Sequence, residues 1–286
     1  MYSGIPFPDI DPVVFQIGFF ALRWYSLAYL GGILLSWYLL RQMSLYSKST
    51  FTILKIDDFL GYAIAGIILG GRLGYVLFYN LFYFIERPLE IFAVWNGGMS
   101  FHGGLLGMII ATIVFCKAKK INLFMVADML CVVAPIGLFL GRLANFINGE
   151  LYGRITYNVP WAIIFPMGGM EPRHPSQLYE ALWEGLLMLF ILNFIWWKKE
   201  KYRNRYGFTA GMFFFMYAVG RSFLELFREP DAHLGFVANY LTMGQILCIP
   251  MLLFGIWLIY RSKPRVQFKK MLKEKKKCLK NHFGDV

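Results

Sequence analysis

Seven stretches of the chain stay apolar for about 20 residues each, at about 17–40, 58–78, 95–116, 127–146, 176–197, 208–226 and 241–260. An α-helix rises 1.5 Å per residue, so each run matches the roughly 30 Å of hydrocarbon in a bilayer. The expected fold is therefore all-α, a polytopic membrane protein of seven transmembrane helices. Composition points the same way: 58% of residues are hydrophobic and only 16% charged, where soluble domains carry about a quarter charged residues. That balance excludes an ordinary cytosolic enzyme, a disordered regulator and a coiled coil. The third stretch opens on Asn96, Gly97, Gly98 and His102, which predicts a re-entrant start.

The 29 Lys and Arg residues set an orientation, because cytoplasmic loops are enriched in them. Segments 41–57, 117–126, 198–207 and 261–286 hold 21 of the 29, whereas the opposite set holds only Arg87, Arg154, Arg173 and Arg228. The N-terminus is expected outside and the C-terminus in the cytoplasm. The basic tail at 261–286 accounts for much of the net charge of +12. Attraction to anionic lipid, about 1 kcal/mol per basic residue near the surface, explains it without nucleic acid, and no aromatic residues interleave these lysines for base stacking. Cys116, Cys131, Cys248 and Cys278 are scattered without a CxxC pair, which argues against a disulfide framework or a zinc site. The first basic residue is Arg23, so no cleavable secretory signal is expected. Residues 1–260 read as one membrane domain, with an ordered cap at about 147–175.

The remaining arginines, Arg23, Arg72, Arg142 and Arg221, fall inside the stretches. One at mid-bilayer costs about 2.5–3.5 kcal/mol even on the lenient insertion scale. With the orientation above, all four lie toward the outer side. So do His102 and the run Ser176, Gln177, Tyr179, Glu180 and Glu184, whereas Asp58 and Asp128 sit at inner helix N-termini, where the helix dipole accounts for them. Snorkelling explains single arginines but not carboxylates, amides and a histidine gathered at one depth.

Arg142 and Asn145 share a helix face by i,i+3 spacing, and Gly149 and Gly153 then break the helix around Glu150. A planar guanidinium fork at such an end suits a phosphodiester headgroup; a capped helix with a satisfied ion pair fits the same residues. Tyr217, Arg221 and Glu225 follow at intervals of four, which suits either a buried salt-bridge ladder or a second phosphate contact. His102 lies among Gly97, Gly98, Gly103 and Gly104. It reads either as a structural hydrogen-bonding residue or as a general base for a neutral-pH reaction. His174, before Pro175, marks the start of a helix. Gly66, Gly70 and Gly74, with Gly103 and Gly107, have the small-xxx-small spacing of close helix packing. Arg72, within that series, pairs with an acidic neighbour or reaches a lipid phosphate. No GxSxG, HExxH or P-loop motif appears, so neither serine nor metal catalysis is indicated and no cofactor is expected.

Taken together, Leu22-Arg23-Trp24-Tyr25, Gly70 to Tyr75, Ser100 to Leu105, the Gly141 to Gly153 run, Arg173 to Glu180 and Arg221 to Asp231 resemble the prolipoprotein diacylglyceryl transferase family over about residues 5–260. The resemblance implies a seven-helix enzyme of the bacterial plasma membrane, an inner membrane, with its site toward the outer face. Its reaction would move the diacylglyceryl group of phosphatidylglycerol to the lipobox cysteine thiol of a prolipoprotein signal peptide, forming a thioether and releasing glycerol 1-phosphate. By resemblance, Arg142 holds the lipid phosphate and Arg221 is a second phosphate contact held by Glu225. Asn145, Glu150 and Gly153 shape the headgroup site, Tyr25 and Tyr217 order it, and Arg72 joins the substrate-binding set. His102, or a carboxylate in its place, takes the thiol proton. Two other classes fit the same arginines: an anionic-lipid-binding protein or transporter without chemistry, and a partner-binding membrane subunit.

Overall fold

A computed structural model of the 286-residue chain describes residues 4–18, 20–47, 49–230, 236–237 and 241–262. All but the first two residues of the expected basic tail, and Cys278 with it, lie outside these. The described chain is mostly helical and divides into two compact units, residues 37–126 and the remainder. Each expected stretch overlaps a long helix: α1 (Trp24–Ser47), α2 (Ile53–Phe78), α4 (Phe101–Ala118), α5 (Leu123–Ile147), α6 (Ser176–Lys198), α7 (Phe208–Leu224) and α8 (Met243–Arg261), with the short α3 (Leu81–Glu86) between α2 and α4. Among the described residues, five of these, α2, α4, α5, α6 and α8, are long and apolar enough to cross a bilayer. The chain is thus a mainly helical, multi-pass membrane protein.

The first helix starts seven residues later than the hydropathy suggests. Residues Val13–Ile17 (β2) and Phe20–Arg23 (β3) pair antiparallel, with Val13 opposite Arg23 and Ile17 opposite Phe20, around Gly18 at φ +57°. The run is rich in β-branched and aromatic residues, which favour strands, so its apolar content goes into a hairpin. Arg23 accordingly ends a strand and lies outside the helix that was expected to contain it.

In the unit of residues 37–126, α2 and α4 pack through their glycines. A Cβ on Gly70 would lie 2.7 Å from the Gly107 Cα, and one on Gly74 the same distance from the Gly103 Cα. The small-residue spacing is a packing device, as expected. Phe51, Phe59 and Phe115 stack edge-on in the core, and Asp57 takes bonds from Trp37 Nε1 (2.7 Å) and Arg41 Nη1 (3.0 Å). Before α4 the chain makes 3₁₀ turns at Pro88–Phe92 and Val94–Asn96, then passes Gly97 and Gly98 at φ +79° and +78°. The backbone at the start of the third stretch is thus irregular up to α4.

In the other unit, Ile163–Ile164 (β4) pairs in parallel with the N-terminal strand Ile5–Pro6 (β1) and antiparallel with Pro172–Arg173 (β5). This small sheet ties the N-terminus to the segment joining α5 and α6. Met129, Val132, Met188, Leu192 and Trp196 are fully buried between the helices. Helices α7 and α8 meet closely where a Cβ on Gly211 would come within 2.8 Å of the Gly255 carbonyl.

Asp128 differs from the dipole role expected of it. From α5 its carboxylate accepts the backbone N–H groups of Gly207 and Ala210, both at 2.8 Å, so it caps the first turn of α7, a different helix. Asp58, likewise, pairs with Lys119 at 2.5 Å. Buried hydrogen bonds to a charged group are worth about 1.5–3 kcal/mol each. Asp128→Ala should therefore destabilise the protein by about 3 kcal/mol, visible as a lower unfolding midpoint in detergent. An unchanged midpoint would remove the cap from the account.

Candidate active site

The site is built where α5 ends. Gly149, at φ +66°, closes the helix in a Schellman motif: the Gly149 N–H bonds the Phe146 carbonyl (2.9 Å) and the Glu150 N–H returns to the Asn145 carbonyl (3.1 Å). That reversal folds Glu150 back onto the helix it has just left. Its Oε1 accepts the Tyr25 hydroxyl (2.6 Å) and Asn145 Nδ2 (2.9 Å), and Asn145 also donates to the Tyr25 oxygen. Three expected site residues, Tyr25, Asn145 and Glu150, thus form one hydrogen-bonded triangle.

The loop that follows is held from α6. Gln177 Nε2 donates to the Glu150 carbonyl (2.7 Å) and Ser176 Oγ to the Leu151 carbonyl (3.0 Å). Leu151 sits at φ +57°, a left-handed conformation that costs a residue with a Cβ roughly 1–2 kcal/mol. Gly153 bonds the His174 carbonyl through its N–H (2.9 Å), and a Cβ there would come 2.7 Å from the His174 Cβ. Its role is close packing of two loops. His174 lies against Phe227 and Tyr179. Burial lowers its imidazole from the usual histidine range. The Tyr179 hydroxyl accepts Trp161 Nε1 (2.6 Å) and lies 3.1 Å from His174 Nδ1. Pro175 occupies the N-cap of α6.

One turn before Asn145, Arg142 meets the carboxylates of α6. Its Nε lies 2.7 Å from Glu180 Oε2 and its Nη2 3.5 Å from Glu184 Oε2. From α7, Arg221 reaches Glu180 Oε1 (3.0 Å), Glu184 Oε1 (4.0 Å) and Glu225 Oε2 (2.9 Å), and Arg228 joins Glu180 Oε1 at 3.4 Å. The expected Arg221–Glu225 pair is present, within a cluster of three arginines and three glutamates that is formally neutral. Glu180 and Glu184 are fully buried, whereas the Arg142 and Arg221 side chains keep 17% and 13% of their surface exposed. These are ion-pair distances, yet Glu180 Oε2, both Glu184 oxygens, Arg221 Nη1 and Glu225 Oε2 make no aligned hydrogen bond. The cluster is held chiefly by charge at these distances, with Arg228 Nη1 donating to Glu180 Oε1. Tyr217 stacks on Phe213 one turn before Arg221.

Two expected residues belong to the other unit. His102 is exposed in the first turn of α4, edge-on to Phe101. Ser100 caps that helix by accepting the Gly103 N–H (3.2 Å). Arg72 lies in α2, and its guanidinium is bonded to backbone carbonyls of the segment before α4. Its Nε donates to the Ile91 carbonyl, Nη1 to Gly97 and Gly98, and Nη2 to Glu90 and Ala93. Five donors meet five carbonyls, so Arg72 organises the segment leading into α4.

Sequence reasoning named Glu180 and Glu184 by depth alone and gave them no place in the site. The available signal was their spacing of four on a helix that also carries buried Ser176 and Gln177.

The sequence profile described as "Prolipoprotein diacylglyceryl transferase" matches residues 12–261. Proteins of Rhodospirillum rubrum, Rickettsia felis and Gluconobacter oxydans are 50%, 51% and 51% identical to the chain. The matches cover 92%, 91% and 93% of it and 97%, 99% and 97% of those proteins, each of which is named phosphatidylglycerol–prolipoprotein diacylglyceryl transferase. The expectation raised by the motifs is met across nine-tenths of the chain, which belongs to the prolipoprotein diacylglyceryl transferase family.

Proposed function

We propose that the chain is the transferase its relatives are named for, moving the diacylglyceryl group of phosphatidylglycerol to the lipobox cysteine thiol of a prolipoprotein. The thiol sulfur attacks the glyceryl carbon next to the phosphate oxygen. A C–S bond forms, the C–O bond breaks, the thiol proton passes to a base, and glycerol 1-phosphate leaves. The observation that carries this reading is the convergence of Arg142 and Arg221 on buried Glu180, one helical turn from the Tyr25–Asn145–Glu150 triangle.

The chemistry asks for two things: neutralisation of the departing phosphate and removal of a thiol proton. Guanidinium groups fixed in a low-dielectric site serve the first. Arg142 grips the lipid phosphate, and Arg221, held by Glu225, makes the second contact. The triangle takes the glycerol headgroup, with Tyr25 and Tyr217 ordering the site and Gly153 shaping its loop. His102 takes the thiol proton. Seven helices cross the membrane with the N-terminus outside and the C-terminus inside, a topology supported by 21 of 29 basic residues falling in alternate segments. The site then faces the outer side of a bacterial inner membrane, under the cap at about 147–175.

The test is reconstitution in phosphatidylglycerol liposomes with a lipobox peptide, following peptide mass and glycerol phosphate. A diacylglyceryl mass gain with matching glycerol phosphate is expected. Lipid binding without either product would replace transfer with plain headgroup binding.

A further inference from the structure

Glu180 is the residue on which the cluster converges. Its two oxygens meet Arg142 from α5 (2.7 Å) and Arg221 and Arg228 from the α7 side (3.0 and 3.4 Å). A fully buried carboxylate in contact with three arginines is where the spacing between the two phosphate-binding cations is set.

The surrounding backbone is shaped for this. Immediately after Glu180 the helix widens into a π-helical stretch, Ala181–Leu187, a feature that frequently marks functional sites. Within it Gly185 lets α6 press on α5, since a Cβ there would lie 2.6 Å from that of Phe139, one turn before Arg142. On the other side Trp183 lies against Gly220, next to Arg221, where a Cβ would collide with the indole, and its Nε1 bonds the Met216 carbonyl (3.3 Å). Two glycines and a widened turn thereby seat one carboxylate between the arginines of two helices.

We propose that Glu180 is a positioning residue for diacylglyceryl transfer: it holds Arg142 and Arg221 at the separation that the departing phosphate requires, and occupies their donors until lipid arrives. This rests on the transfer reading above. A positioning carboxylate has a kinetic signature that a structural ion pair lacks. With its charge removed, the arginines lose a competitor for phosphate and also lose their alignment.

The experiment compares wild type, Glu180→Gln and Glu180→Asp in phosphatidylglycerol liposomes with a lipobox peptide, measuring kcat, KM for the lipid and the unfolding midpoint. For Glu180→Gln, kcat should fall about 100-fold, the usual cost of an ångström of misplacement, while KM for phosphatidylglycerol falls several-fold. Glu180→Asp keeps the charge and shortens the reach by one methylene, so it should fold even where the Gln variant does not, and lose kcat about tenfold. Wild-type kcat in either variant overturns the proposal, as does a lower kcat at unchanged or raised KM in Glu180→Gln. If wild type itself makes no thioether, the transfer reading fails and takes the proposal with it; product from wild type with either overturning result defeats the proposal alone.

Discussion

Arg142→Ala should lower kcat/KM for diacylglyceryl transfer by about 10³-fold, in the upper range for removing one preorganised donor to a developing oxyanion. The loss has two sources that need separating. One is the phosphate contact itself, which matters most as negative charge builds on the leaving oxygen. The other is the resting cluster: without Arg142, Glu180 loses its 2.7 Å partner and Glu184 its 3.5 Å partner. Breaking a buried ion pair from one side costs about 3–5 kcal/mol of stability. Arg142→Lys separates the two, because an ammonium keeps the charge beside Glu180 and Glu184 but cannot grip two phosphate oxygens in a plane. A Lys variant with near-native unfolding and a rate reduced at least tenfold would place the effect on the phosphate. Full activity in the Lys variant would reduce Arg142 to a counter-charge.

Much of the site was legible because helical spacing is local. Arg142 with Asn145, and Tyr217 with Arg221 and Glu225, are pairs whose common face follows from the pitch of a helix, and the Arg221–Glu225 contact follows from i,i+4 geometry. Glu150 was readable as a neighbour of the helix end. Its return onto Asn145 depends on the Schellman closure at Gly149, which the glycine permits but does not by itself announce. The glycines of α2 and α4 likewise announced close packing.

What the sequence withheld depends on partners distant along the chain. Arg72 looked like a charge in need of an acid or a phosphate. The five carbonyls that satisfy it come from a segment 18–26 residues away, whose 3₁₀ turns and positive-φ glycines aim them inward. Asp128 sits early in its own helix and serves another 79 residues on. The apolar run before Trp24 scores as membrane by hydropathy, but a glycine turn and β-branched residues fold it into a hairpin. The π-helical stretch after Glu180 has no local sequence signal; it is the packing of Gly185 on Phe139 and of Trp183 on Gly220 that accommodates it. Hydropathy and periodicity see one element at a time, and each of these features belongs to two.

The other large effect concerns the proton. His102→Gln should slow transfer about 10³-fold at neutral pH, within the usual span for losing a general base, and the deficit should shrink as pH rises. A free thiol ionises near pH 8.5. Above that pH the nucleophile arrives as thiolate and needs no base, so the variant's rate climbs with pH while the wild-type rate gains far less. Glutamine keeps the polar volume at the head of α4, where Ser100 and Gly103 already fix the first turn, so a folding defect is not the expected cause. The pH profile separates three accounts. A ratio of wild-type to variant rates that collapses at high pH assigns the proton to His102. A large ratio constant with pH makes the imidazole a binding group for the peptide or lipid. Equal rates at neutral pH remove His102 from the chemistry and move the base to a carboxylate. Among the expected site residues Glu150 is then the carboxylate to test next, because it sits in the triangle with Tyr25 and Asn145.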